Sequence, residues 1–389
     1  MYRKTYATID GNILKENINK IINKYNSYQY YIGVVKNNAY NHGMYVVNDL
    51  IAGGINYLAV ANFDEALHVR KYNIEIPVLL LEPIDIEYIY DCINNNVTIT
   101  IERLDYLKKL IELDLRDDLK IHLKIDSGMN RLGFKTKDEI NTSIKLINET
   151  NHLILEGIYT DFATNGINDP YWDIQLSNFK ELTSDINLKN IPIVHLGKSE
   201  TLIHHDKIGF CNGVRLGLIM YGIVPSYDEG GFFKKTKRNI RIKKYDISDT
   251  YLNSEIDLKT AFILKSEVMS IRHANVDEFV GFGAHIKVVD DMNIATIPVG
   301  YADGIDKKYN VVSINNELCD ILSDSMDMLM VKVNDNVKVG DEVEIFGNNI
   351  NIDSVMSTLD IDAYHLFNNI TTRVPRLHLR DKEKEEVKY

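Results

Sequence analysis

The chain has 389 residues, of which 45% are hydrophobic and 26% charged, and its net charge is -12. That length buries a large core and points to two domains, while the acidic balance speaks against a nucleic-acid partner and leaves a small molecule. Cys92, Cys211 and Cys319 are far apart and odd in number, which gives neither a disulfide framework nor a metal spacing and fits a reducing cytoplasm. The N-terminus has no apolar signal core and no apolar run reaches membrane-spanning length, so a cytoplasmic protein with no membrane partner is expected.

In chain order, Ile13, Leu14, Ile18, Ile21 and Ile22 form one helical stripe. Eight short apolar runs follow: "YIGVV", "YLAVA", "PVLLL", "VTITI", "IHLKID", "LEGIYT", "IPIVHL" and "VRLGLIMYG". Amphipathic stretches such as "FDEALHVRKY" separate most of them. Eight strands with helical crossovers and two apolar faces predict a parallel sheet closed as an α/β, (β/α)8 TIM barrel over residues 1–225; on pattern alone a doubly wound open sheet is the alternative. Residues 226–256 hold a glycine pair, a basic run from Lys234 to Lys244 and then acidic residues, and read as an inserted charged loop. From 257 to 385 short runs split by Asn, Asp and Gly ("AFILKSEVMSI", "IKVV", "IATIPVG", "DMLMVKV", "DEVEIFG") predict a C-terminal β-rich domain. The tail "RDKEKEEVKY" reads as a charged, frayed end.

Function in a β/α barrel sits at the C-terminal ends of the strands. Lys36 stands at such an end, after "YYIGVV". A lysine held there in apolar surroundings is pushed toward the neutral amine, which forms Schiff bases with aldehydes. On this stretch alone, a lysine reaching out to solvent explains the residue as well. Arg215, inside the apolar "GVRLGLIMYG", needs a partner because it cannot lose its proton.

"VVKNNAYNHG", "LKIDSGMNRLGF", "GVRLGLIMYG", "IPVGYADG" and "RVPRLH" together resemble the alanine racemase family, in the family's order, from about Thr8 to Arg376. The resemblance implies pyridoxal 5'-phosphate as cofactor and a homodimer whose β domain completes the neighbouring subunit's active site. It implies that Lys36 holds the cofactor and acts as base on one face. Tyr40, Tyr364, Ser199, Gly217 and Leu218 match the phosphate-binding positions. Arg131 matches the arginine beside the cofactor's phenolic oxygen and the substrate carboxylate. Lys124 matches a lysine that is carbamylated in some members, and Met326 a substrate-pocket methionine offered by the other subunit. Arg215 matches the arginine that faces the pyridine nitrogen; it can only donate, so the ring stays a weak electron sink suited to removing and returning a proton.

Four positions depart from the family pattern. Phe282, in "FVGFGAHIK", stands at the family's second catalytic tyrosine and has no hydroxyl to transfer a proton. Asp161, in "TDFAT", replaces the histidine that supports that tyrosine. Lys198 stands where the family usually has Asn, and Ser325 where it usually has Cys. An Asp161–Arg215 pair is chemically reasonable, and Asp161 or His285 is a candidate replacement for the missing acid. The reading is a pyridoxal-phosphate-dependent racemase of alanine or a related small amino acid. The alternatives are a one-base enzyme (lyase, decarboxylase or racemase of another amino acid) and a non-catalytic cofactor-binding homologue.

Overall fold

The computed structural model describes residues 2–167, 169–224 and 255–380, and the backbone of 383–387. Most of the charged insertion at 226–256, with its basic run from Lys234 to Lys244, lies outside the described residues.

Strand β1 (Tyr6–Asp10) leads into a helix at Gly11–Lys24, capped by the Asp10 carboxylate on the Asn12 and Ile13 N–H groups. Eight parallel strands follow: β2 (Tyr30–Val34), β3 (Tyr57–Val60), β4 (Val78–Leu80), β5 (Val97–Ile101), β6 (Leu119–Lys124), β7 (Leu153–Tyr159), β8 (Ile193–His195) and β9 (Gly213–Leu216). They form one sheet in the order β8-β7-β6-β5-β4-β3-β2-β9. The Asn212 N–H donates to the Val194 carbonyl at 3.2 Å and the Arg215 N–H to the Gly197 carbonyl at 3.0 Å, which brings the two ends together in a nearly closed barrel. Each of the eight apolar runs supplies one strand of it, although the last, "VRLGLIMYG", leaves the sheet after Leu216 and turns into a short 3-10 helix at Leu218–Tyr221. Parallel strands covered on both faces are buried on both, as Val97–Ile101 is with all five residues buried. Its two polar side chains, Thr98 and Thr100, are hydrogen-bonded inside: Thr98 accepts from Tyr57 Oη, and Thr100 donates to the Leu80 carbonyl.

The second sheet has ten strands in the described residues. They include β10 (Phe262–Glu267), β11 (Ser270–Ala274), β14 (Met292–Ile297), β15 (Val311–Ile314), β16 (Glu317–Asp324), β17 (Leu329–Val333), β18 (Glu342–Phe346), β19 (Arg376–Arg380) and β20 (Glu383–Val387). The hairpin β12 (Phe279–Val280) and β13 (Ile286–Lys287) stands apart as a sheet of its own. Three features differ from the sequence reading. Strand β1, grouped with the barrel by position, lies antiparallel to β10 and parallel to β19, so it belongs to the second sheet. The tail read as frayed carries β20, antiparallel to β19. Two helices, Ile352–Leu359 and Ala363–Asn369, interrupt the β-rich pattern; Asn351 and Asp362 cap them through side-chain oxygens, the signals that mark them in the sequence.

Candidate active site

The chain turns left-handed directly after Lys36. Asn37, Asn38, Ala39, Tyr40 and Asn41 have φ values of 51, 53, 56, 49 and 67°. Left-handed backbone costs an L-residue about 1–2 kcal/mol, least for asparagine, whose side chain bonds locally. Three of these five are asparagine, and their neighbours hold the strained form in place. Asn38 Oδ1 accepts from the Met44 N–H at 2.8 Å, and Glu65 Oε1 accepts from the Asn37 N–H at 2.6 Å. Asn41 Nδ2 donates to the Phe367 and Ile370 carbonyls, both at 2.6 Å, and so ties the turn to the second domain. Strain that the surroundings over-determine is characteristic of functional sites. Here the turn brings Lys36 and Tyr40 to one cavity. Lys36 is exposed in that cavity, so the apolar burial expected from the sequence is absent.

The cavity has a volume of about 640 Å³, and its walls include Lys36, Tyr40, Lys124, Arg131, Asp161, Lys198, Ser199, Arg215, Gly217 and Tyr364. These residues come from the ends of β2, β6, β7, β8 and β9 and from the helix at Ala363–Asn369. At one end three hydroxyls converge on Gly217. A Cβ there would meet Tyr40 Oη at 3.3 Å, Ser199 Oγ at 3.8 Å and Tyr364 Oη at 3.8 Å. The Gly217 N–H already donates to Ser199 Oγ at 3.1 Å. Burial, the largest influence on both, raises the Tyr40 and Tyr364 hydroxyls above the ordinary phenol value, so both remain donors. Neutral donors around an open glycine fit a phosphate group.

At the other end stands Asp161. Its Oδ1 accepts from Arg215 Nη2 at 2.8 Å, and its Oδ2 from Lys124 Nζ and Arg131 Nη2, each at 2.8 Å. Burial would raise this carboxyl, but the charges of Arg215 and Lys124 outweigh it and hold Asp161 well below the usual carboxylate range. The loop carrying Arg131 is shaped by Asp126, whose Oδ1 accepts from the Gly128 and Asn130 N–H groups at 3.0 Å each. It closes where Gly133, at φ 127°, lies so near the chain that a Cβ would meet the Asp126 nitrogen at 2.6 Å. No L-residue with a side chain fits there without moving backbone.

Arg215 is held from below by groups that the sequence reading did not single out. Its Nη1 donates to His195 Nδ1 at 2.7 Å, and Nη2 also donates to the Thr160 carbonyl at 2.8 Å. A guanidinium only donates, so His195 Nδ1 accepts and its proton sits on Nε2. His195 Nε2 then donates to His122 Nδ1 at 3.0 Å, and His122 Nε2 to Glu156 Oε2 at 3.3 Å. Burial lowers both histidines below their ordinary value, which keeps them neutral in this chain of donors. Tyr159 stacks on His195 at 4.7 Å between ring centres. A signal was present in the sequence: His122 lies two residues before Lys124, on the same face of one strand. Glu82, Met129, Phe162, Glu200 and Asn368 also line the cavity, Asn368 one helical turn after Tyr364.

Other expected site residues lie elsewhere. Leu218 lines a neighbouring cavity together with Ser199 and Tyr364. Phe282, His285 and Met326 are all exposed on the second domain, Phe282 at 89%, and none of them lines the cavity of its own chain. The acid role considered for Asp161 does not fit its three cationic partners, since a carboxyl kept ionised has no proton to give at neutral pH.

Residues 9–225 match the model of the alanine racemase N-terminal domain, and residues 261–378 that of the alanine racemase C-terminal domain. Alanine racemase 1 of Bacillus subtilis is 31% identical over 404 residues, covering 100% of this chain and 96% of the relative. Among solved structures, the alanine racemase of Bacillus anthracis with bound L-Ala-P superposes with a TM-score of 0.85 at 27% identity, over 100% of this chain and 98% of that one. A histidine racemase from Leuconostoc mesenteroides has a TM-score of 0.83 at 24% identity, over 97% and 99% of the two chains, a likeness of fold alone.

Proposed function

The chain belongs to the alanine racemase family, and from that premise we propose that it interconverts the enantiomers of a small amino acid, alanine foremost, with Lys36 as the cofactor lysine and proton-moving base. It is a pyridoxal-phosphate-dependent amino-acid racemase. The observation that carries the site assignment is the convergence, in one cavity, of Lys36, three neutral hydroxyls around Gly217, and two arginines joined through Asp161.

Pyridoxal phosphate, when bound, supplies the electron sink that makes an amino acid's α-proton removable. The protein's own groups do the rest. Tyr40, Ser199 and Tyr364, with the N–H groups near Gly217 and Leu218, hold the phosphate. Arg215 presents donors only, which suits proton removal and return rather than deep electron withdrawal. Arg131 receives the substrate carboxylate, an arginine fork being the natural partner of a planar anion. Lys36 takes the α-proton on its own face. The opposite face lacks the family's tyrosine, because Phe282 stands at that position and cannot transfer a proton.

Phe282, Met326 and Tyr301 are exposed on the second domain at 89, 53 and 45%. We assign them to the neighbouring subunit's site in a two-fold dimer, where His285 would stand near Phe282. Among the described residues no helix is long and apolar enough to cross a membrane, and we place the protein in the cytoplasm.

The test is chiral analysis of a panel of amino acids incubated with the purified protein. The account expects the D-enantiomer to accumulate from L-alanine. Phe282 favours one second reading, a one-base lyase or decarboxylase, in which the panel would reveal loss of substrate without its mirror image. Failure of every amino acid to react would remove both readings.

A further inference from the structure

We infer that the Asp161 carboxylate is the positioning residue of this site: it is the shared counter-ion that fixes Arg131 and Arg215 together and, bonded to Lys124, keeps that lysine unmodified. What the arginines bind rests on the racemase reading; the state of Lys124 does not.

One carboxylate joins three parts of the barrel mouth. Asp161 follows β7, Arg215 lies on β9, Lys124 ends β6, and Arg131 sits on the loop beyond it. The two oxygens divide the work: Oδ1 takes Arg215, while Oδ2 takes both Lys124 and Arg131, all at 2.8 Å. The Arg131 side chain is 56% exposed, so packing alone does not fix it. Arg215, in contrast, is buried and bonded to His195 and to the Thr160 carbonyl. Asp161 thus transmits the rigid position of Arg215 to the exposed Arg131. Main-chain support makes the bridge itself firm: the Asp161 carbonyl accepts from Gln175 Nε2 at 3.1 Å.

Lys124 is buried beside the same two guanidiniums. Burial, the largest influence, holds the Lys124 amine below the ordinary lysine value; Arg131 and Arg215 push the same way, and Asp161 opposes them without outweighing them. Without the carboxylate, three cationic groups would crowd one site with no anion bonded to them. A neutral amine in such a place adds carbon dioxide: a bond forms between Nζ and the carbon of CO2, one amine proton passes to water, and the resulting carbamate supplies the missing negative charge. With Asp161 present the same carbamate would set a second anion against the first and displace Nζ from its bond. The natural chain therefore leaves Lys124 unmodified.

The holoenzyme, equilibrated with 13C-bicarbonate near neutral pH, tests this by 13C NMR. The natural protein should show no lysine carbamate carbon. Asp161→Asn should gain one, and Asp161→Asn with Lys124→Ala should lose it again. Asp161→Glu, which restores the charge, should also show none. In Asp161→Asn the KM for the amino acid should rise by roughly an order of magnitude while kcat changes less, as expected when a carboxylate-binding arginine loses its anchor. A carbamate signal in the natural protein that disappears in Lys124→Ala would overturn the inference, and so would its absence from a folded Asp161→Asn. Should Asp161→Asn not fold, the natural protein's spectrum decides alone. None of the NMR readouts needs turnover, so a failure of the racemase reading would leave them intact.

Discussion

Asp161 Oδ1 and Arg215 Nη2 are bonded at 2.8 Å across the ends of two strands that are not neighbours in the sheet, β7 and β9. The pair is buried on the arginine side, where the guanidinium also serves His195 and Thr160. Removing one member of a buried pair costs about 3–5 kcal/mol, because the other is left without its counter-charge. Arg215→Ala should fall in the lower part of that range, since Lys124 and Arg131 still attend Asp161. Urea unfolding of the two proteins measures the difference, and a loss below about 1 kcal/mol would mean that the pair behaves as a surface salt bridge.

Glu156 anchors the far end of the donor chain beneath Arg215. Burial, the largest influence, would raise its carboxyl, but hydrogen bonds from His122 and Tyr57 bring it down from 4.5 to about 2. Between those values the unfolded chain binds more protons than the folded one, so stability rises with pH through that window. The contribution is complete above about pH 5 and is lost as pH falls toward 2, to a total on the order of 3 kcal/mol. Glu156→Gln should flatten this part of the curve. Denaturant midpoints for both proteins from pH 2.5 to 6 read it out, and equal slopes would count against the assigned cause.

Most of the fold was legible because buried parallel strands are predominantly apolar and β-branched, and all eight barrel strands stood out this way even where Thr98, Thr100, His122 or Lys124 interrupts the run. Site residues were legible where they stand at strand ends: Lys36, Lys124 and Asp161 all do. The partners of Asp161 were less so. Only Arg215 was foreseen, since Lys124 and Arg131 reach the carboxylate from other strands and loops, and pairing across a barrel mouth has no local sequence mark. The strand at Tyr6–Asp10 was not read from the sequence, and the sheet it joins is a tertiary matter that its five residues do not mark. The handedness of the turn after Lys36 was half visible. Asparagine at 37, 38 and 41 permits left-handed backbone, but Ala39 and Tyr40 adopt it only because Met44, Glu65 and Phe367 hold the turn.

That turn gives a separate prediction. Asn37 is exposed at φ 51°, where a β-branched residue fits poorly. Asn37→Val should lose about 1–2 kcal/mol of stability and hold the cofactor less well, because Lys36 and Tyr40 flank it. Asn37→Gly, free to adopt the same backbone, should retain the cofactor. Thermal unfolding and cofactor retention on gel filtration compare the two. Equal losses would show that the asparagine side chain matters, and the backbone does not.

The most direct test of the account concerns the face opposite Lys36. With alanine in deuterated water, the α-hydrogen of one enantiomer should exchange with retention, since the same lysine removes and returns the proton. Inversion should be slower, because a placed side-chain acid contributes roughly 10²–10⁴-fold and Phe282 has no proton to give. Phe282→Tyr should raise inversion more than exchange, though only in part, because Asp161 does not reproduce a supporting histidine. The deciding quantity is the ratio of exchange to inversion in the unmodified protein. The account predicts a ratio well above one; a ratio near one would show that a second acid is already in place, and the single-base assignment to Lys36 would be withdrawn.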